Sequence, residues 1–273
     1  MIGPEDERPK DGPEALQDAV TVELCDLDRG LCALLQVVRT GGGADSSALA
    51  LACLGDETVA VLHEPGDIRL ETAEPLARWR CGFDHEPVAL EAELEAVSPP
   101  IDLGEPPPDA FTKAAGVHRY EQLCRVRGEI RVAGRQTAIE GVGRRAHSWG
   151  EPAAARFRSL YAVAGDRAVT VAAVRPGESD EHGAELIAAY LWRPESEPER
   201  FERARLSTVY DAAGRPRTAG LELFLPGEEY PRRVSGEAVC QATDEADSVE
   251  AACFRWSLDG EPAQGGYQVV LIA

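Results

Sequence analysis

The chain of 273 residues contains no asparagine, and only Lys10 and Lys113 among its 28 basic residues are lysines. That skew reads as genomic base composition, not mechanism. Positive charge is scarce overall: the net charge is −20 and the pI is near 4.7. A surface this acidic repels phosphate backbones and anionic lipid, so nucleic acid is a poor partner and a membrane surface is disfavoured. There is no run of about 18 apolar residues, which argues against a membrane span. The glycines Gly41–Gly43 lack the Gly-Lys-Ser/Thr that a phosphate loop needs and read as a hairpin loop. No C-x-x-C occurs. The seven cysteines (Cys25, Cys32, Cys53, Cys81, Cys124, Cys240 and Cys253) are odd in number, and several lie in apolar alternating runs. They read as reduced, buried, small hydrophobes, which points to the cytoplasm. The N-terminal MIGPEDERPKDGPE is acidic and proline-rich, unlike a secretory leader, and residues 1–17 read as a flexible tail.

Alternation is what the sequence has in abundance. Segments such as Ala19–Leu27, Leu31–Val38, Phe157–Ala164 and Arg167–Val174 alternate or run apolar, and Gly, Pro and Asp punctuate them. No amphipathic helix stands out, although Pro194–Arg203 has room for one or two turns. Frequent strands with regular turns predict an all-β chain of barrels or sandwiches. The acidic, turn-rich stretch at 175–183 is the natural place to divide it.

The clearest strand runs through Gln122–Val132. Cys124, Val126, Ile130 and Val132 share one face, while Arg125, Arg127, Glu129 and Arg131 share the other. Ala133-Gly134 reads as a turn, and Arg135–Ser148 as the returning strand. That strand leads into Gly141–Gly150, GVGRRAHSWG, the densest group of polar side chains beside a large aromatic. On an extended chain Arg145, His147 and Trp149 point one way, and Arg144, Ala146 and Ser148 the other. His147 and Ser148 therefore do not make a nucleophile–base dyad. His147 and Trp149 either line one wall of a pocket, or Trp149 plugs a barrel end and His147 is a hydrogen-bonded core histidine. Tyr120, Glu121 and Gln122 lead into the partner strand, close enough to join such a pocket or to be only its polar beginning.

Other motifs carry less. Gly141-x-Gly143-x-x-Ala146 matches a dinucleotide fingerprint on paper, but Trp149-Gly150-Glu151-Pro152 opposes the helix that fingerprint requires. Asp84-His85-Glu86 and His182–Glu185 contain metal-ligand residue types without a second histidine at useful spacing, so they read as solvated turns and no metal is expected.

The segment RYEQLCRVRGEIRVAGRQTAIEGVGRRAHSWG, Arg119–Gly150, resembles the central signature of the lipocalin-like superfamily that includes AttH-like proteins and carotenoid 1,2-hydratases (hydroxyneurosporene synthase). Arg145, His147, Ser148, Trp149 and Gly150 match it. Phe254–Val270 resembles the closing strand pair, and Leu24–Val37 is compatible. Ala146 stands where the family's aspartate is usual. The resemblance implies two tandem lipocalin-like antiparallel β-barrels, here 18–178 and 179–273 after a tail at 1–17. It implies a ligand cleft and chemistry on polyenes, terpenoids or polyketide-derived compounds.

Three functions follow. The first is a cofactor-independent hydratase, isomerase or cyclase acting on an unsaturated hydrophobic small molecule. In it His147, or an acid such as Glu121 or Glu140, moves a proton. Trp149 steadies positive charge, and Tyr120, Gln122, Arg145 and Ser148 bind the ligand. The second is a non-catalytic carrier of an apolar ligand, which the missing aspartate favours. The third is a structural protein whose motif only closes a barrel. A pocket lined by acids separates the first from an apolar tunnel or a filled interior.

Overall fold

Period-2 alternation punctuated by turn residues folds, in the computed structural model, almost entirely into strands. About 70% of the described residues are strand and 5% helix, so the site has to be built on sheets. The structure describes all residues except 1, 11, 14, 42–45, 56, 105–109, 154, 177–184, 245, 247 and 273. The first sheet contains β1 (Gln17–Asp26), β2 (Leu31–Thr40), β3 (Ser46–Leu54), β4 (Glu57–Leu62), β5 (Ile68–Glu74), β6 (Arg78–His85), β7 (Val88–Ala96), β8 (Ile101–Asp102), β9 (Val117–Val132) and β10 (Arg135–Gly150). A short helix, α1 (Ala110–Ala115), precedes β9. The second sheet contains β11 (Ala155–Ala164), β12 (Arg167–Pro176), β13 (Leu186–Trp192), β14 (Glu199–Arg200), β15 (Arg203–Tyr210), β16 (Pro216–Phe224), β17 (Arg232–Asp244), β18 (Val249–Leu258) and β19 (Glu261–Ile272).

The two sheets repeat one topology. The first runs β4-β3-β2-β1-β10-β9-β7-β6-β5, with β8 beside β9, and the second runs β14-β13-β12-β11-β19-β18-β17-β16-β15. In each, the first strand pairs antiparallel with the last, β1 with β10 and β11 with β19. Each sheet curls around its own core. Leu24, Leu35, Phe83, Leu90 and Val126 fill the first, and Leu160, Val171, Leu223, Phe254 and Trp256 the second. This is the tandem lipocalin-like architecture that the resemblance implies.

The outer faces of the central strands meet each other. Leu123 packs with Tyr161 and Ala172, and Leu34, Leu49 and Leu51 pack with Ala242 and Ala251. Strands buried on both faces lose polar alternation, which explains the continuous apolar runs LCALL in β2 and ALALACL in β3.

Three expectations are revised. The change of sheet falls at 151–154, between β10 and β11, so the β11–β12 hairpin belongs with the second sheet. Of the stretch at 175–183, Arg175 and Pro176 end β12 and the rest lies outside the described residues; β12 and β13 pair in that same sheet. Pro194–Arg203 forms no helix; it carries β14 and the first residue of β15. The residues before β1 are not a featureless tail, because Pro4–Glu7 is a turn of 3₁₀-helix.

The cysteines are corrected too. Cys25 in β1 and Cys253 in β18 form a disulfide across the two sheets, with Cα atoms 5.3 Å apart and a sequence separation of 228. No local spacing signals a pairing so distant. Cys32, Cys53, Cys81, Cys124 and Cys240 are buried and lie outside this disulfide. The argument for the cytoplasm from uniformly reduced thiols therefore falls away. Among the described residues, no helix is long and apolar enough to cross a membrane. Cross-links that close long loops typically contribute about 2–4 kcal/mol. Reductant should accordingly lower the thermal midpoint of the wild type toward that of Cys253→Ala while leaving the variant's midpoint unchanged; equal midpoints for oxidised and reduced wild type would show that the bond contributes nothing.

Candidate active site

The site is built on the β9–β10 hairpin. Ala133 (φ 48°) and Gly134 (φ 80°) both adopt the left-handed region, as a two-residue hairpin turn requires. This turn sets the register along the whole hairpin, pairing Tyr120 with His147, Gln122 with Arg145 and Glu121 with Ala146. On its other side β10 pairs with β1, bringing Asp18 opposite Trp149 and Val20 opposite His147. Directly opposed residues share a face. Tyr120, Gln122, Arg145, His147, Trp149 and Asp18 therefore point into the first barrel. Glu121, Arg144, Ala146 and Ser148 point toward the second sheet. The two glycines of the G-x-G stretch make the β1–β10 approach possible. A Cβ on Gly141 would lie 2.1 Å from Cys25 O, and one on Gly143 would lie 2.6 Å from Glu23 O. Their role is close backbone packing, and β10 continues as strand through Gly150 with no helix after it.

Inside the barrel, His147 is fully buried and its Nε2 lies 2.5 Å from Asp18 Oδ1. Among the described residues, its Nδ1 has no hydrogen-bond partner. The Trp149 ring stands 5.2 Å from His147 and 4.4 Å from His118, and half-buried Trp149 has the Lys10 ammonium 4.7 Å over its face. Arg145 donates through Nη1 to Tyr120 Oη at 2.8 Å and lies over the Trp79 and Tyr120 rings. Burial pushes the Tyr120 hydroxyl well above the usual tyrosine range, against the opposing pull of Arg145, so it stays a phenol.

A fourth element completes this face. Glu7, from the 3₁₀ turn, places its carboxylate in the barrel with a side chain only 4% exposed. Trp79 Nε1 (3.1 Å) and Thr72 Oγ1 (3.2 Å) donate to Oε2, which forms an ion pair with Arg145 Nη2 at 2.9 Å, and Tyr120 Oη (2.9 Å) donates to Oε1. Beside this polar end opens a cavity of about 380 Å³ with an aliphatic wall of Val20, Val22, Val37, Ile68 and Leu70; Asp18 and Arg145 reach it, and Arg39, Glu71 and Arg80 also border it.

The opposite face holds a buried ion cluster. Arg144, with no exposed side-chain surface, donates to Glu23, to Glu121 Oε2 at 3.2 Å and to Ser159 Oγ at 2.7 Å. Glu121 also accepts from Arg119 Nε at 2.7 Å and Thr170 Oγ1 at 2.5 Å. Burial alone would raise the Glu121 carboxyl, but Arg144, Arg119 and Thr170 outweigh it and hold it below the usual glutamate range. A smaller cavity of about 200 Å³ between the sheets is bordered by Arg119, Ser148 and Phe157.

The structure thus divides the residues that the sequence singled out. Tyr120, Arg145, His147 and Trp149 come together in the barrel. Gln122 shares their face but is engaged in the scaffold, donating to Leu76 O (2.9 Å) and Ser98 O (3.4 Å). Glu121 and Ser148 lie on the other side of the hairpin, and Glu140 is on an exposed stretch of β10. Asp18, Glu7 and Trp79 escaped the sequence reading. Asp18 left a usable signal, being an acid on the same alternating face as Val20, Val22 and Leu24. Glu7 left none in its acidic tail. Among the described residues, no group of three or more His, Cys, Asp or Glu is arranged to hold a metal ion.

Removing one partner from a buried ion pair typically costs about 3–5 kcal/mol. Glu121→Gln should therefore be less stable than the wild type at neutral pH. Because the folded-state pKa of Glu121 is depressed, its contribution is present above the ordinary value of 4.5 and is lost as pH falls through the folded value. Denaturant titrations should show the gap between variant and wild type narrowing below that pH. A gap that stays constant into acid would contradict the role given to the Glu121 charge.

Solved structures share this architecture. A protein described as AttH from Nitrosomonas europaea superposes with a TM-score of 0.68 at 16% identity, covering 97% of each chain. CghA with Sch210972 gives 0.64 at 12% identity, over 94% of this chain and 88% of that one. Kievitone hydratase from Nectria haematococca gives 0.63 at 12%, over 93% and 88%. At these identities the likeness is one of fold. No curated protein matches the chain. One family model, a domain of unknown function designated DUF7064, matches residues 30–269 and so runs through both sheets. The chain belongs to the DUF7064 family, whose unit here is the pair of curled sheets.

Proposed function

We propose that the protein is a cofactor-independent enzyme of hydratase, isomerase or cyclase type, acting on an unsaturated hydrophobic small molecule in the first barrel. The observation that carries this reading is the Asp18–His147 pair, set at the wall of a cavity with an aliphatic side and a charged one. Asp18 borders the cavity and His147 lies behind it, so Asp18 is the group that meets a substrate and His147 the partner that shares its proton.

The chemistry closes on itself. Asp18 Oδ1 and His147 Nε2 stand 2.5 Å apart, close enough to pass one proton between carboxylate and imidazole. Transfer of that proton to one alkene carbon leaves a carbocation and the deprotonated pair. In hydration, water adds to the cation and its proton returns to the pair. In isomerisation or cyclisation, the cation loses a proton to the pair after rearrangement or ring closure. Glu121, held as a carboxylate by two arginines, is in the wrong form to donate a proton and serves as a positioning residue. Ala146 faces Glu121 across the hairpin, so an aspartate there would point between the sheets. The Asp18–His147 pair supplies an acid on the other face. The name of kievitone hydratase supports a hydration chemistry on this fold, and terpenoid or polyketide-derived compounds are the substrates that the resemblance favours.

The carrier reading has one observation in its favour: Val20, Val22, Val37, Ile68 and Leu70 give the cavity a stretch of aliphatic wall. Turnover decides between them. Long polyenes and terpenoid alcohols should quench tryptophan fluorescence saturably, and at least one should show a mass gain of water or a new isomer by mass spectrometry. Asp18→Asn and His147→Ala should each lower that turnover by about 10²–10⁴-fold, the usual range for a proton-transfer group, with quenching retained. The double variant should be no worse than the poorer single one, since the pair acts as a unit. Saturable quenching without product in the wild type, or full turnover in Asp18→Asn, would establish the carrier or a different acid.

A further inference from the structure

We infer that the cradle holding Glu7 is a carboxylate-binding subsite of the barrel cavity, filled in this state by the chain's own N-terminal segment. Its natural ligand is then an apolar molecule carrying a carboxylate. The inference rests on reading the cavity as the ligand site, but not on turnover there.

The cradle is built for a planar monoanion. One oxygen of Glu7 accepts from the Tyr120 hydroxyl, and the other accepts from Trp79 and Thr72 and forms an ion pair with Arg145. Arg145, itself 2% exposed, brings one positive charge, balanced by one carboxylate. These donors come from β5, β6, β9 and β10, so the subsite belongs to the barrel and not to the tail. The cavity walls of Val20, Val22, Val37, Ile68 and Leu70 lie next to it, where the hydrocarbon part of an amphipathic acid would go.

The occupant looks like a ligand in the way it is held. The backbone hydrogen bonds of its 3₁₀ turn, Asp6 N to Gly3 O and Arg8 N to Glu5 O, stay within the segment. Side chains fasten it to the barrel: Glu7 in the cradle, Lys10 over the Trp149 ring, and Pro9 at the cavity edge. Asp6 shapes the segment by accepting from Gly3 N and Lys10 Nζ. Glu7 and Lys10 thus cover two groups of the proposed site at once, the Arg145 guanidinium and the Trp149 ring face. An incoming carboxylate would displace Glu7, and its apparent affinity is reduced by the fraction of molecules whose cradle is filled.

The test measures binding of decanoate, methyl decanoate and decanol to the full-length wild type, Glu7→Ala and Glu7→Gln, by calorimetry and tryptophan fluorescence. In Glu7→Ala, decanoate should bind more tightly than to wild type by on the order of tenfold or more, since the competing carboxylate is gone. The ester and the alcohol, which bring no charge to Arg145, should change far less. Decanoate should also restore the thermal midpoint of Glu7→Ala more than decanol does. Glu7→Gln, which keeps the shape and loses the charge, should show a smaller gain in the same direction and stands in if the alanine variant does not fold. Weaker decanoate binding in both variants would make Glu7 part of the wall and overturn the inference, as would ester and acid binding alike. If polyenes turn over while acid and ester bind alike, this inference fails and the catalytic reading survives. If the decanoate effect appears but nothing turns over, the reverse holds.

Discussion

The arrangement of the site depends on one buried guanidinium. Arg144 sits between the sheets with no exposed side-chain surface, and desolvating such an ion costs several kcal/mol unless its geometry is well satisfied. Its partners come from β1 (Glu23), β9 (Glu121) and β11 (Ser159), so it is satisfied only when both sheets are in place. Because the pleat has a period of two, fixing Arg144 outward fixes Arg145 and His147 inward. A slip of one residue in β10 would drive the Arg144 charge into the apolar barrel and take His147 away from Asp18. The ion cluster therefore holds the register on which the proton-sharing pair depends.

Two adjacent arginines on one strand have separate tasks for the same reason. Arg144 is enclosed by fixed acids and fastens the sheets. Arg145 borders a cavity, and its acid, Glu7, comes from the N-terminal segment. The charge of this protein is also uneven in a useful way. A net charge of −20 keeps anions away at long range. The polar end of the barrel gathers Arg145 and Lys10 around Tyr120, Trp79 and Trp149, with Arg145 paired to Glu7 and Lys10 to Asp6. Selectivity for a ligand would then come from contact at the site rather than from electrostatic steering toward it.

The two-sheet fold is common to proteins as different in name as AttH, CghA and kievitone hydratase. A shared fold does not carry shared chemistry; what a site can do depends on its own side chains, here those on the barrel face of β1, β9 and β10. Ala146 lies on the other face, buried beside Glu121 and Thr21, where a carboxylate would join the Arg119, Arg144, Glu23 and Glu121 ion cluster.

Much of this was legible in the sequence because it is local. Alternation in Gln122–Val132 and Arg135–Ser148, with Ala133-Gly134 between, gave the hairpin and its register, and the pleat then assigned Arg145, His147 and Trp149 to one face. Turn residues and strand spacing gave the all-β class. Contacts between segments distant in the chain were not legible. Asp18 meets His147 across 129 residues, Glu7 meets Tyr120 across 113, and Cys25 meets Cys253 across 228. The change of sheet at 151–154 was hidden because a short connection between sheets looks like any hairpin loop. Periodicity reports which way a side chain points from its own strand. It carries no information on what the curled sheet brings to the other side of the barrel, and that was decided only when β1 closed against β10 and the N-terminal segment settled over the opening.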